Sequence, residues 1–201
     1  MKKVFGIKDY EFELSDKIPY TKEEVRAIIF HKLNLKESSV LWDIGSGTGT
    51  ISIEFANLLP KGRVYSIDKD PHAFDVMKKN IQKFNLKNIV PIFGEAPEVL
   101  KNLEVPTHIF IGGTDQRLKE ILAYILEIGK KSKIIEKIIM TVVSIETFIQ
   151  SVELINSEEF RDFSNHEIIQ IHISKASKIS KYTILKPANP IFLFDISPCW
   201  E

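Results

Sequence analysis

The sequence predicts an α/β protein with a doubly wound, mostly parallel sheet of seven strands and an antiparallel edge hairpin near the C-terminus. Short apolar segments alternate with amphipathic helical segments from residue 21 onwards, which is typical of βαβ units. The chain has 201 residues, of which 44% are hydrophobic and 27% charged, as in ordinary globular proteins. We therefore expect one domain at residues 21–201, preceded by an arm at residues 1–20.

The predicted elements follow one another in a regular order. Thr21 and Glu24 have the spacing of a capping box and predict the start of the first helix, whereas the preceding arm lacks periodicity. The predicted strands cover residues 40–44, 63–67, 89–93, 108–111, 133–143, 167–174 and 190–196. The later predicted helices cover residues 51–59, 71–84, 97–103, 118–128 and 145–156. No helix is predicted between the last two strands, so we expect them to pair antiparallel at the sheet edge.

Composition and charge exclude several functional classes. The 27 basic and 27 acidic residues cancel, and the isoelectric point near 7.0 disfavours nucleic acid as a partner. Cys199 has no second cysteine to pair with, which fits a reducing cytoplasm. The longest apolar stretch, residues 134–149, is interrupted by charges, so no membrane span is predicted. The five histidines lack metal-ligand spacing, so no metal site is predicted.

A glycine cluster follows the first predicted strand and reads Asp43-Ile44-Gly45-Ser46-Gly47-Thr48-Gly49. Glycines between a strand and a helix let the backbone turn tightly and approach a ligand closely, and the helix offers free amides. A dinucleotide fingerprint would need glycine at Thr50, and a P-loop would need a lysine well before Lys61. The cluster therefore disfavours NAD and nucleoside triphosphates as ligands.

Two carboxylates follow the next two predicted strands. Asp68 closes the second strand, where a doubly wound fold can use a carboxylate to accept both hydroxyls of a ribose. Glu95 follows the third strand, and either its side chain or the backbone of Ala96 could meet an adenine edge. A glycine-rich turn alone could merely connect a strand to a helix. Together, the three features resemble the class I S-adenosylmethionine-dependent methyltransferases.

Flanking segments resemble one family within that class. Residues 19–26 (PYTKEEVR), 41–49, 94–98 (GEAPE) and 111–113 (IGG) are similar to the decarboxylating precorrin methyltransferases of cobalamin biosynthesis. The resemblance implies S-adenosylmethionine as donor and methylation of carbon 15 of a tetrapyrrole, cobalt-precorrin-6B or precorrin-6B/6Y. It also implies loss of carbon dioxide from the ring C acetate, and a homotetramer. Because the chain holds one cofactor-binding unit, a separate protein should methylate carbon 5.

The resemblance places donor contacts at Thr21, Gly45, Ser46, Gly47, Thr48, Gly49, Asp68 and Ala96, and the strand-end pattern adds Asp43 and Glu95. Thr21 also fits a helix cap, and the two roles are compatible. No side-chain nucleophile is predicted, because a sulfonium methyl group is already activated and mainly needs a positioned acceptor.

The predicted substrate contacts are Gly112, Gly113, Thr114, Lys175 and Lys178. Residues 114–117 and the Lys175-Ala176 pair depart from the family pattern in segments expected to touch the tetrapyrrole. The lysines lie in a segment without acidic residues and could attract a polycarboxylate. Alternatively, they could keep an exposed edge hairpin from adding strands.

Two other functional classes stay open. A methyltransferase of the same fold could act on RNA or on another small metabolite, because fold does not fix function. The segment after the fourth strand, Ile111 to Thr114, lacks the Pro-Pro-aromatic motif expected for methylation of base amino groups. A non-catalytic binding subunit is disfavoured by the intact glycine cluster and Asp68.

Overall fold

The computed structural model describes residues 5–114 and 116–200. Residues 1–4 of the predicted arm and Asp115 of the segment after Gly113 lie outside the described residues. The helices are α1 (Glu23–Leu33), α2 (Thr50–Ala56), α3 (Pro71–Phe84), α4 (Leu118–Ser132) and α5 (Ile145–Ile155). The strands are β1 (Val40–Ile44), β2 (Arg63–Asp68), β3 (Ile89–Phe93), β4 (His108–Ile111), β5 (Lys137–Val142), β6 (His166–Ile171), β7 (Ser174–Ile179), β8 (Tyr182–Pro187) and β9 (Ile191–Ile196).

Seven of these strands form one sheet in the order β3-β2-β1-β4-β5-β9-β6. The first five are mutually parallel, and β9 runs antiparallel to both β5 and β6. The predicted fold class and the antiparallel edge are therefore confirmed. Since β1 is central and its carboxyl end meets those of β2 and β4, the glycine cluster lies where ligands bind in open α/β sheets.

The sequence did not predict the β7–β8 hairpin as a separate sheet. The strand predicted at residues 167–174 corresponds to β6 and the first residue of β7. The antiparallel edge pair that the sequence predicted corresponds to β6 and β9. Most residues of β7 and all of β8 are exposed, so neither strand carries the apolar alternation that marks a half-buried strand. Ser180, with φ of 55°, makes the tight turn between them.

Helix α4 extends four residues beyond its predicted end, and β5 begins at Lys137 rather than at residue 133. Gly129 lies inside the helix rather than at its end. Glycine is needed there to make room for Trp200, because a Cβ would lie within 2.1 Å of the indole ring. Lys133, with φ of 56°, is the residue that ends the helix.

The predicted capping box at Thr21 and Glu24 is wrong. Lys22 is the N-cap of α1, and its side chain makes no capping hydrogen bond. Asp9 of the arm makes the capping hydrogen bonds instead. Its Oδ1 accepts from the Glu23 amide at 3.0 Å, and Glu23 Oε2 accepts from the Asp9 amide at 3.1 Å. The free Glu23 amide at the start of α1 thus finds its acceptor in the arm, fourteen residues earlier in the chain. A capping motif within the local sequence cannot predict such a contact.

The described part of the arm packs into the core on one face of the sheet. Ile7 and Phe12 are buried in the same cluster as residues of α1, α2 and β1. Residues 9–11 form a 3₁₀ turn within the arm, which the sequence predicted to be irregular. The division of the chain at residue 20 stays a prediction.

Candidate functional site

A cavity of about 770 Å³ lies above the carboxyl ends of β1, β2, β4 and β5. It is lined by eleven predicted site residues: Thr21, Asp43, Gly45, Ser46, Gly47, Asp68, Glu95, Ala96, Gly112, Gly113 and Thr114. Thr48 and Gly49 belong to the same turn but do not line the cavity; Thr48 is fully buried and Gly49 precedes α2. The structure therefore brings together residues from four separate strand ends.

The glycine turn after β1 packs against the segment after β4. Gly45 has φ of +72°, and a Cβ there would lie 2.6 Å from the backbone N and O of Gly113. A side chain at this position would both require an unfavourable backbone conformation and collide with a backbone that cannot rotate away. Close backbone contact is therefore the reason that this position needs glycine.

Asp68 presents a carboxylate with spare acceptor capacity. Its Oδ2 accepts from the Gly47 amide at 2.7 Å, and its Oδ1 accepts from the Asp70 amide at 2.9 Å. A carboxylate offers about four lone-pair sites, so each oxygen retains one for a ligand. The two backbone bonds fix the carboxylate at the cavity edge, which suits recognition of paired hydroxyls.

Glu95 has different surroundings. Its Oε1 accepts from Lys69 Nζ at 2.7 Å, and its Oε2 lies 3.4 Å from Arg117 Nη1. Arg117 also binds both carboxylate oxygens of Glu98, at 2.7 and 2.8 Å, and this hydrogen bonding lowers the pKa of Glu98 to about 2. The cavity rim is thus a chain of ion pairs that links the ends of β2 and β3 to the start of α4.

Asp43 is buried beneath the glycine turn. Its Oδ2 accepts from the Ser52 hydroxyl at 2.5 Å, and the Ser52 oxygen lies 2.7 Å from that of Ser66. Its Oδ1 is buried without a hydrogen-bond partner, as is the hydroxyl of Ser46. Burial raises the pKa of Asp43 to about 7, opposed by the Ser52 bond and assisted by the negative charge of Asp68.

The arm supplies one wall of the cavity, through residues 17–21. Arg26, which is completely buried, holds that wall in place: its guanidinium donates to Glu54, to Asp9 and to the carbonyl oxygens of Thr21 and Ile7. The four bonds at 2.5–2.7 Å satisfy the charge and fix Thr21 next to the glycine turn.

Sequence reasoning missed two parts of the lining. One is the arm, including Lys17 and Tyr20, because the segment has no periodicity. The other is the end above β5, α5 and β9, which is formed mainly by apolar side chains: Met140, Thr141, Val142, Val143, Thr147 and Ile191. The second set could have been found, because all parallel strands of one sheet end at the same edge.

Lys175 and Lys178 do not line the cavity. Lys175, on β7, forms an ion pair of 2.6 Å with Glu24 of α1, which brings the hairpin next to the arm wall. Lys178 is exposed. Their role toward a substrate stays a prediction. Within residues 5–114 and 116–200, no group of three metal-ligating side chains occurs, and no helix is long and apolar enough to cross a membrane.

Curated proteins that are similar to this chain carry one and the same name. A "probable cobalt-precorrin-6B C(15)-methyltransferase (decarboxylating)" of Sulfurisphaera tokodaii is 39% identical over 190 residues, which are 94% of this chain and 95% of that protein. One from Saccharolobus solfataricus is 39% identical over 191 residues, covering 94% and 93% of the two chains.

Two solved structures are similar along nearly their whole length. The precorrin-6y C5,15-methyltransferase of Geobacter metallireducens superposes with a TM-score of 0.83 at 30% identity, covering 97% of this chain and 99% of that one. The precorrin 8W decarboxylase of Methanobacterium thermoautotrophicum also gives 0.83, at 29% identity, covering 95% and 99%. The family model of the precorrin methyltransferase domain matches residues 12–197. The chain therefore belongs to the precorrin methyltransferase family.

Proposed function

We propose that this chain uses S-adenosylmethionine to methylate carbon 15 of cobalt-precorrin-6B or precorrin-6B, and that it also removes carbon dioxide from the ring C acetate. The observation that carries this proposal is one continuous cavity with two chemically different ends. The end above β1 and β2 is polar and contains Asp43 and Asp68, whereas the end above β5 is largely apolar. The curated relatives bear names that combine C(15)-methylation with decarboxylation.

The polar end fits the methyl donor. Asp68 would accept the ribose hydroxyls, and the positive-φ turn at Gly45 and Gly47 would let the ligand lie against backbone. The unpartnered oxygens of Asp43 and Ser46 would face the amino-acid part. Glu95 and Ala96 would border the adenine, and Thr21 the side of the arm. The donor supplies an electrophilic methyl group, so the chain's task is to orient the two reactants and exclude water.

The apolar end would receive the acceptor. Strands lie about 4.8 Å apart, so β5 is roughly 14 Å from β2, with β1 and β4 between them. An acceptor carbon above β4 and β5 would therefore meet the donor's methyl group in the middle of the cavity. Met140, Val142 and Val143 would shield an acetate side chain from water, which destabilises its carboxylate and favours release of neutral carbon dioxide, with the electron pair of the broken C–C bond passing into the macrocycle. Gly112, Gly113 and Thr114 would border the macrocycle.

The working form is proposed to be a cytoplasmic homotetramer. Support for association comes from the β7–β8 hairpin, where large apolar side chains are exposed: Ile179, Tyr182, Ile184 and Leu185. Lys178 on the same hairpin could attract substrate carboxylates, as could Lys175 if it exchanged its bond with Glu24. The lone Cys199 fits a reducing compartment. Methylation of carbon 5 is assigned to a separate protein.

Mass spectrometry of the product tests the proposal. Purified chain, donor and cobalt-precorrin-6B should give a product that has gained one methyl group and lost one carbon dioxide. Carbon 5 should be unmethylated. A methylated product that keeps every carboxylate would refute the decarboxylation, and methyl transfer to RNA would refute the substrate.

A further inference from the structure

The buried carboxylate of Asp43 has no cationic partner among the described residues. The side chain is 0% exposed, yet it lines the cavity. Ser52 satisfies Oδ2, and Oδ1 has no hydrogen-bond partner. By contrast, the other buried acidic side chain near this face, Glu54, is matched by the guanidinium of Arg26 at 2.5 Å. Asp43 is therefore a buried acid that still lacks a counter-charge.

A carboxylate in this position has two ways to avoid an uncompensated charge. An unpaired ionised group costs several kcal/mol when buried, so it either takes up a proton or binds a cation. In the ligand-free protein no cation is in contact, and a protonated Oδ1 removes the charge. The cavity beside it offers the second solution, because a cationic ligand group could enter.

The neighbouring elements do not supply a positive charge. On α2, the groups facing Asp43 are the hydroxyl and the backbone amide of Ser52; on β2, the facing groups are Ser66 and Asp68. On β4, the register partner is Phe110. Asp68 disfavours ionisation of Asp43, and burial does so more strongly, giving a pKa of about 7. Among the described residues no positive charge compensates Asp43, so a cationic group of a ligand is suited to do so.

We propose that Asp43 is the proton-linked counter-charge of the methyl donor: it holds a proton in the ligand-free protein and releases it to solvent when a cationic group of the donor enters. The O–H bond of the carboxyl group breaks, its electron pair stays on Oδ1, and the proton passes to buffer. This inference rests on the proposed donor. The cationic group is the sulfonium or the α-ammonium, which share the chemistry of a positive charge beside a carboxylate.

Isothermal titration calorimetry tests this directly. S-adenosylmethionine is titrated into the protein at one pH in several buffers with different ionisation enthalpies, and the dependence of the heat on that enthalpy counts the protons released. We expect about half a proton at pH 7, approaching one at pH 6 and none at pH 9. Binding without proton release at any pH would overturn the inference while leaving the proposed donor intact; no binding at all would overturn both.

Titration with S-adenosylhomocysteine identifies the charge. The product keeps the α-ammonium but lacks the sulfonium. Weaker proton release than with the donor would support linkage to the sulfonium, and equal release would support linkage to the ammonium. Proton release on binding of the product but not of the donor would contradict the proposal, because the donor carries both the sulfonium and the α-ammonium.

Two variants assign the proton to Asp43. Asp43→Asn should bind without releasing protons at any pH, and undiminished release from it would overturn the assignment. Ser52→Ala removes the hydrogen bond that favours the carboxylate, so it should release more protons than wild type at pH 8. If Asp43→Asn fails to fold, infrared difference spectra of the wild type decide the matter: donor binding should bleach a protonated-carboxyl C=O band, and an unchanged band would overturn the proposal.

Discussion

At the scale of single residues, three acidic side chains around one cavity are set to different tasks by their surroundings. Asp68 has two backbone donors and free lone pairs, whereas Glu95 is held by Lys69 and approached by Arg117. Asp43 is fully buried and is hydrogen-bonded by Ser52. The same functional group thus serves as a ready hydrogen-bond acceptor, a rim ion pair or a titrating acid, depending on what its neighbours donate.

Asp68→Ala should weaken binding of both S-adenosylmethionine and S-adenosylhomocysteine by roughly tenfold to a hundredfold, because hydrogen bonds to a charged acceptor contribute about 1.5–3 kcal/mol. Calorimetric dissociation constants measure the effect. Asp75→Ala is the matched control, since Asp75 is exposed on α3 and pairs with Lys78. Equal affinities of the Asp68 variant and the control would remove Asp68 from the binding site.

The titration of Asp43 should make the ligand-free protein less stable as pH rises. Its folded pKa of about 7 exceeds the ordinary value of 3.8, so between these values the folded state holds a proton that the unfolded state lacks. This contribution to stability is complete below pH 4 and is lost by about pH 7, a change on the order of 4 kcal/mol. Urea unfolding from pH 5 to 8 should show a steeper decline for wild type than for Asp43→Asn. Parallel curves would contradict the raised pKa.

Gly45→Ala should abolish donor binding and lower the melting temperature. The new Cβ would meet the Gly113 backbone at 2.6 Å, in addition to the strain of a positive φ. Gly6→Ala separates the two effects, because Gly6 has φ of +80° but no atom lies within 4 Å of the place that its new Cβ would occupy. That control should lose only about 1–2 kcal/mol from backbone strain and should still bind the donor. Similar losses in both variants would show that strain alone matters at Gly45.

At the scale of elements, the arm and α1 act as one unit because Arg26 connects them. Arg26→Lys should destabilise the protein by about 3 kcal/mol or more, since one ammonium cannot reach all four acceptors and would leave buried carboxylate oxygens unpaired. Hydrogen exchange should accelerate across residues 7–21. The exposed pair of Lys8 with Glu23 on the same arm provides a control, and Lys8→Ala should change little. Unchanged exchange in the Arg26 variant would exclude this anchoring role.

The elements that sequence predicted well are those whose burial leaves a pattern. Apolar strands such as β1 and amphipathic helices such as α3 were found nearly to the residue. The start of α1 was misread because its cap comes from Asp9, and the end of α4 because Gly129 accommodates Trp200. Both errors arise where a distant contact replaces the usual local signal. The same holds for the site: strand-end carboxylates were predictable, but the ion pairs of Glu95 were not.

At the scale of the whole molecule, the β7–β8 hairpin should join chains together. Leu185 is 70% exposed there, so Leu185→Asp should shift the particle seen by light scattering from four chains of 23.1 kDa each to a smaller species. Tyr10→Asp changes a residue that is 84% exposed on the arm and should leave the particle size unaltered. A wild-type particle of one chain would contradict the proposed tetramer.

The order of strands in the sheet has a consequence for synthesis. Among the described strands, β6 pairs only with β9, and β9 also covers the edge of β5. A ribosome makes β5 and β6 before β9, so β6 has no partner strand and one edge of β5 stays unpaired until residues 191–196 have emerged. Such edges are sites of intermolecular pairing. The strand that completes the sheet is thus translated after both of its partners, and premature termination before it would release an aggregation-prone chain.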